Sequence, residues 1–359
     1  MMLEATIDKI LQEDLEWIAK KEENLHDCTV FVTGATGLIV SLIVKSLLCK
    51  NRLKNSNIKV IALARSAEKV KKKFKDVLEN KDLKIVYGDI LAPLNIEEKI
   101  DYVIHAASRT ASKDFVNKPV ETIDSVVNGT KNILDLVKNK EVKSIVYLST
   151  MEIYGIVDFK VDKIAEDDLG YIDILKVRSS YPESKRLVEN LCIAYYSEYK
   201  LPVKIARLAQ TFGPGVVKDD NRVFAQFARS VINKEDIILH TDGESIRNYC
   251  YIRDAILGIF TLLNKGEDGE AYTISNEESC ISIKKMAEMV AEKIAKGDIK
   301  VVIKVPEDIA SYGYAPKEKM KLSSKKIQSL GWKAEVSLEE SYRRMIESMT
   351  GYKEVKSLN

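Results

Sequence analysis

The chain has 359 residues, 45% of them hydrophobic, which suffices for a large core and suggests two domains. Charged residues make up 31%, yet Lys+Arg (56) and Asp+Glu (54) cancel to a net charge of +2, without the clustered basic excess of a nucleic-acid binder. Five scattered cysteines, with no CxxC pair, argue against a disulfide framework or a zinc site, and three separated histidines offer no metal cluster.

Met1 to Lys20 is charged and patterned as an amphipathic helix, with Ile7, Ile10, Leu11, Leu15 and Ile18 on one side. It is not a signal peptide, and no apolar run approaches membrane-spanning length, so a cytoplasmic protein without membrane partners is expected. From Cys28 onward, short β-rich runs alternate with helices. Strands are predicted at Thr29–Thr33, Lys59–Leu63, Lys84–Tyr87, Tyr102–His105, Ser144–Leu148 and Val203–Arg207, and helices at Ile39–Cys49, Ala67–Leu78, Pro119–Lys138 and Tyr181–Tyr199. Apolar strands without polar alternation are buried on both faces, so the repeated β–α order predicts an α/β, doubly wound parallel Rossmann sheet. After Phe212 the rhythm changes. Gly213-Pro214-Gly215 marks a turn, and a helix flanked by loops fills the stretch to His240. A strand is expected at Ala271–Ser275, then helices at Ile283–Ile294 and Ser337–Met349. The expected division is an N-terminal helical extension (1–27), a dinucleotide-binding domain (28–211 with parts of 243–275), and a smaller interleaved α/β substrate domain (212–242 and 276–349).

Phe31-Val32-Thr33-Gly34-Ala35-Thr36-Gly37-Leu38-Ile39 joins the first strand to the first helix. Gly34 permits a tight turn, and Gly37 lets backbone approach a pyrophosphate at the helix N-terminus. A third glycine, used for close helix–strand packing, is replaced by Val40. The second strand ends in Ala64-Arg65, where an acidic residue would bind the ribose of NAD. Arg65 suits a 2′-phosphate instead, so NADP stands beside NAD, with a solvated loop arginine as the plain alternative. Asp89 is placed to accept from adenine, or serves as a turn aspartate.

Tyr181-Pro182-Glu183-Ser184-Lys185 puts a tyrosine and a lysine on one helix face. A phenol is a poor base at neutral pH, so a nearby ammonium and a nicotinamide cation are expected to lower its pKa. Taken alone, such a pair is common on any helix. Its context is Ser149-Thr150-Met151-Glu152-Ile153-Tyr154-Gly155 at the carboxyl end of the fifth strand, where Thr150 can hydrogen-bond the reacting oxygen and Glu152 can act as a second acid/base.

These residues, with Gly88-Asp89, His105-Ala106-Ala107, Phe212-Gly213-Pro214 and Leu330-Gly331-Trp332, make the chain similar to the extended short-chain dehydrogenase/reductase family, in its nucleotide-sugar epimerase/dehydratase branch. Within that branch it most resembles UDP-glucuronate decarboxylases, through Lys185-Arg186, Asn190 to Tyr195, Thr211-Phe212-Gly213-Pro214, Asp220 to Val223, and Arg247 with Tyr251 and Asp254. The resemblance implies a homodimer formed through helices 119–138 and 181–199. It implies cofactor contacts from Gly34, Thr36, Gly37, Leu38, Ile39, Arg65, Asp89, Ile90, Ala106, Ala107, Ser108, Tyr181, Lys185 and Leu208. Catalysis would fall to Tyr181, Lys185, Thr150 and Glu152, and substrate binding to Gln210, Arg222, Val223 and Arg247, with Arg247 on the diphosphate. Surface salt bridges are the plain reading for Arg222 and Arg247.

Three positions depart from the pattern: Met151 replaces a hydroxyl or an aspartate, Gln210 replaces an asparagine, and the 156–180 segment is long, as a lid or as a solvated loop. The first reading is oxidation of a sugar C4 hydroxyl, with the 4-keto intermediate then epimerised or decarboxylated; no acid at 151 disfavours dehydration. The alternatives are an NADPH-dependent reductase of a keto-sugar or ketose phosphate, and a non-catalytic nucleotide-binding scaffold.

Overall fold

The computed structural model describes residues 3–157, 161–305 and 319–356. Thus Met1 and Met2 of the N-terminal helix, 158–160 of the long segment and 306–318 of the expected substrate domain lie outside the described residues.

In chain order the first part contains α1 (Lys9–Lys21), β1 (Thr29–Thr33), α2 (Leu38–Lys54), β2 (Lys59–Ala64), α3 (Ala67–Phe74), β3 (Leu83–Tyr87), β4 (Tyr102–His105), α4 (Ser112–Asn117), α5 (Pro119–Val137), β5 (Ser144–Thr150), α6 (Ser180–Tyr199) and β6 (Val203–Leu208). The remainder contains β7 (Gln210–Phe212), α7 (Val223–Asn233), β8 (Ile237–Leu239), β9 (Ile246–Tyr251), α8 (Ile252–Lys265), β10 (Ala271–Ile274), β11 (Cys280–Ser282), α9 (Ile283–Met289), β12 (Val301–Ile303), α10 (Lys325–Gln328) and α11 (Leu338–Lys356).

A seven-stranded sheet in the order β10-β6-β5-β4-β1-β2-β3, parallel throughout, forms the centre. Its central strands β1, β4 and β5 are buried along nearly their whole length because successive side chains enter two different cores. Val30 and Val32 of β1 pack with α2 and α8, whereas Phe31 joins the α5 and α6 side with Ile61, Val103 and Ile145. The strand order reverses between β1 and β4, and the carboxyl ends on either side of that point carry the glycine turn and the His105 loop.

Helix α1 buries Leu11, Leu15 and Ile18 in the α2/α8 core. Ile7 lies ahead of the helix and is half-buried. Buried Asp14 accepts from the Tyr251 hydroxyl at 2.5 Å and from Arg344 at 3.0 Å, tying α1 to β9 and α11. A third core, built on Phe212, Phe224, Tyr249, Met286 and Tyr342, belongs to the C-terminal elements.

Several elements depart from expectation. The stretch to His240 holds β8 as well as α7, and β8 pairs in parallel with β12. Helix α8 and strands β7, β9 and β11 were not foreseen; the three strands form a small second sheet. Three-residue strands are too short to show a period, and their pairing depends on distant partners. The described parts of the 156–180 segment are fastened to the body: Ile156 bridges Tyr171, Ile164 bridges Leu322, and Ser323 N–H donates to the Ile164 carbonyl at 2.8 Å. Arg186 further holds it through the Gly170 carbonyl at 2.7 Å, and Arg207 through the Glu166 carbonyl at 2.5 Å.

Candidate active site

Gly34 has φ +71°, and a Cβ there would lie 2.9 Å from the Ala107 Cα, so the turn and the β4 loop touch backbone to backbone. Any side chain would both strain the turn and push that loop away. Thr33 Oγ1 accepts from the Ala106 and Ala107 N–H groups at 3.1 Å each. Having accepted twice, its own proton points to His105 Nδ1, 2.6 Å away. His105 Nε2 then carries the ring proton and donates to Thr130 Oγ1 at 2.9 Å, which donates to the Val126 carbonyl at 2.6 Å. Complete burial holds the imidazole neutral, its pKa pushed down to about 3. His105 is therefore a brace for the 105–107 loop and not a titrating base.

Gly37 is exposed and caps α2 without a side-chain hydrogen bond. The first-turn N–H groups, at Leu38 and Ile39 among others, have no partner within their own helix, which suits an anion such as a pyrophosphate. Thr36, Leu38 and Ile39 are half-buried around it. Val40 does not intrude: it is 3% exposed and belongs to the α2/α8 core. The residues present thus fit a dinucleotide. At the far end, Arg65 and Asp89 meet each other at 3.3 Å in an exposed pair. Ile90 is largely buried, its side chain against Gly129 and its carbonyl held by Asn132 at 2.9 Å, so it can offer the rim of a groove but no polar side chain. Ala106, Ala107, Ser108 and Leu208 are half-buried along the same carboxyl edge.

The three residues Thr150, Tyr181 and Lys185 come together. Thr150 closes β5, and its side chain lies beside the phenol of Tyr181 in the first turn of α6. The Tyr181 ring stacks on Phe115 of α4, centroids 4.1 Å apart and planes at 5°. Lys185 is buried, donates to the Leu148 carbonyl at 2.8 Å, and sits 4.6 Å from the Tyr147 ring centroid and 5.9 Å from that of Tyr181.

In the chain by itself, burial and then the Glu152 carboxylate push the Tyr181 pKa up, while Thr150 and the Arg178 guanidinium pull the other way. The Lys185 ammonium is directed at a carbonyl, and burial lowers its own pKa to about 8.

Glu152 accepts from Arg178 at 2.9 Å, and the Arg178 guanidinium lies 5.8 Å from the Phe115 ring centroid. Neither Arg178 nor Phe115 was singled out in the sequence. Arg178 stands three residues ahead of Tyr181 in a short 3-10 turn (Val177–Ser179), and that proximity was the available signal. Behind the site, Arg207 grips Glu189 through Nε (3.1 Å) and Nη2 (2.8 Å), and Ser149 donates to the same carboxylate.

The proposed substrate residues are not all in view of this cluster. Arg222 bonds Asp220, at 3.0 Å from Nε, and packs on Phe224 at 4.7 Å, so it occupies the salt bridge that was its plain alternative. It directly precedes α7, whose first residue is Val223. Gln210 on β7 pairs in register with Tyr249 of β9, two residues from Arg247, whose register partner is Ile281. Gln210 and Arg247 thus share the small sheet. Among the described residues, no His/Cys/Asp/Glu group could hold a metal ion.

The sequence profile of the NAD dependent epimerase/dehydratase family matches residues 30–275. UDP-glucuronic acid decarboxylase 6 of Arabidopsis thaliana is 30% identical over 319 residues, covering 89% of this chain and 88% of that protein. An epimerase from Methanothermobacter thermautotrophicus superposes with a TM-score of 0.76 at 21% identity, covering 98% of each chain. The UDP-glucose 4-epimerase of Thermotoga maritima, solved with UDP-glucose, gives 0.74 at 22% identity over 92% of this chain and 100% of its own. The matched stretch spans the glycine turn, the His105 loop and the Tyr181 helix, and this chain belongs to the NAD dependent epimerase/dehydratase family.

Proposed function

We propose that this enzyme oxidises the C4 hydroxyl of a nucleotide-linked sugar and that the resulting 4-keto sugar is decarboxylated or epimerised, decarboxylation being the favoured outcome. The observation that carries the reading is the buried Tyr181 phenol beside the Thr150 side chain, with Lys185 one turn further along the same helix. Thr150 orients the sugar hydroxyl, and Tyr181 takes its proton at the phenolic oxygen. Lys185, held on the Leu148 carbonyl, keeps a positive charge under the ring. NAD, when bound, supplies the hydride acceptor; Gly34, Gly37 and the first turn of α2 would hold its pyrophosphate, and Asp89 its adenine end. A ketone at C4 acidifies the C5–H bond and makes a carboxylate on C5 labile, because it becomes a β-keto acid.

Met151 is 1% exposed and brings no acid to the site, which speaks against dehydration. Relatives named UDP-glucuronic acid decarboxylase, at 29–30% identity across 89% of this chain, favour decarboxylation over epimerisation. In the same reading Gln210, Val223, Arg222 and Arg247 flank the substrate, with Arg247 on the diphosphate. The test is a panel of nucleotide sugars with NAD, followed by product mass and released carbon dioxide. Turnover of UDP-glucuronate with loss of 44 mass units is the expected result; turnover of ketose phosphates alone overturns it.

A second reading, an NADPH-dependent reductase, rests on Arg65 at the end of β2, where NAD enzymes carry an acid. Purified protein that carries no cofactor and prefers NADPH would favour it. We also propose homodimerisation through α5 and α6, which pack side by side and leave Val120, Ile123, Leu187 and Tyr199 exposed. We keep the division into extension, cofactor domain and substrate domain as part of the proposal. A cytoplasmic setting suits the free thiols of Cys28, Cys49, Cys192, Cys250 and Cys280. No helix among the described residues is long and apolar enough to cross a membrane.

A further inference from the structure

We infer that Arg178 determines substrate class by binding the carboxylate of a nucleotide-linked uronic acid through the Nε edge of its guanidinium. The inference rests on the reading above and specifies its substrate. Arg178 reaches the site from the Val177–Ser179 turn, the last part of the anchored 156–180 segment, three residues ahead of Tyr181. Its Nη1 donates to Glu152 at 2.9 Å, and among the described residues its hydrogen bonds end there. The Nε is buried without a partner. A buried donor left unsatisfied is costly, and sites in native proteins that tolerate one do so where a ligand or water completes it. The guanidinium is a planar fork, so with one end on Glu152 the Nε edge remains for a second planar oxyanion.

Position and charge agree with a sugar substituent next to the reacting carbon. The guanidinium lies 5.8 Å from the centroid of Phe115, whose ring stacks 4.1 Å from that of Tyr181, and its charge is felt at the Tyr181 phenol. With the sugar C4 hydroxyl at Tyr181 and Thr150, the C5 substituent is its neighbour. The charged groups acting on the phenol are Arg178 and Glu152, and Lys185 lies 5.9 Å from its ring centroid, two cations against one carboxylate, which leaves one positive charge for a monoanionic substituent. A hydroxymethyl group at C5 would leave that charge unmatched.

The test is calorimetric binding of UDP-glucuronate, UDP-glucose and UDP to the full chain, for the parent and for Arg178→Met, Arg178→Gln and Arg178→Lys. Retained cofactor and thermal unfolding report whether each variant is folded. The parent is expected to prefer UDP-glucuronate over UDP-glucose by about tenfold or more. Arg178→Met and Arg178→Gln should bring the two sugars within about twofold with UDP affinity unchanged, and Arg178→Lys should keep part of the preference. An unchanged ratio in folded variants, or equal weakening for both sugars and UDP, makes Arg178 a structural partner of Glu152 and overturns the inference. A preference that behaves as expected without turnover leaves the inference standing and removes the catalytic reading. Turnover with an unaltered ratio does the reverse, and failure of the parent to bind either sugar overturns both.

Discussion

The two halves of the site, set on either side of the point where the sheet order reverses, are made of different material. The half over α2 is mainly backbone: Gly34 against Ala107, exposed Gly37, and a first helical turn with free N–H groups. The half over α6 is side chain, and it is buried: Tyr181 at 7% exposure and Lys185 at 3%. Phosphates arrive with their own charge and need only oriented dipoles, which peptide groups supply without desolvating an ion. Proton transfer needs titratable groups whose behaviour is set by burial, so that half carries the electrostatic cost.

Substitutions can break or sharpen this contrast. The largest effect is expected from Tyr181→Phe, which removes the proton acceptor but leaves the ring on Phe115: kcat should fall roughly 1,000-fold with cofactor still retained, as read by steady-state kinetics and bound-cofactor absorbance. Lys185→Met should lower kcat by roughly 100-fold and also carries a stability signature. Because the folded pKa of about 8 lies below the unfolded 10.5, protonating Lys185 costs the folded parent stability below pH 8, and that cost fades as pH rises to 10.5. Urea unfolding across that interval should move the comparison in the parent's favour by about 3 kcal/mol.

On the backbone side, Gly34→Ala should destabilise by about 2 kcal/mol, since it combines a left-handed φ with a 2.9 Å approach to Ala107, and cofactor affinity should fall while kcat at saturating cofactor holds. His105 joins the halves, and its effect has the same sign but falls in an acid window. The unfolded imidazole protonates near 6.5 and the folded one only near 3, so stability is lost as pH falls between them, by about 2 kcal/mol at pH 5. His105→Gln, less stable at pH 8, should shed that acid dependence in the same unfolding assay. The smallest effect belongs to Arg65→Ala: the pair with Asp89 is exposed, so stability should shift by under about 0.5 kcal/mol. A fluorescence titration should show weaker NADP binding with NAD unaffected.

How much of this was legible in the sequence follows the same division. Strands β1 and β4 have the boundaries their apolar runs predict, because a strand buried on both faces writes its length as an unbroken hydrophobic stretch. The glycine turn and the Tyr181–Lys185 spacing are local in sequence and could be read as such. Helix α8 keeps helical spacing at Ile252, Ile256, Ile259 and Leu263, a local signal, but its place against the sheet depends on distant partners. Asp254 turns out to cap a distant segment, accepting from the Glu335 and Val336 N–H groups at 2.9 Å.

From its residues alone the chain determined a doubly wound parallel sheet, a nucleotide turn at the first crossover and a tyrosine–lysine helix, since each depends on periodicity or on neighbours within a few positions. Only tertiary structure decided that Arg65 meets Asp89, that Arg222 pairs with Asp220, that the long segment before Tyr181 is fastened to residues 321–323, and that it delivers Arg178 to Glu152. Those outcomes depend on which side chains the packing brings together and on how much water it removes, and neither quantity is a property of a linear pattern.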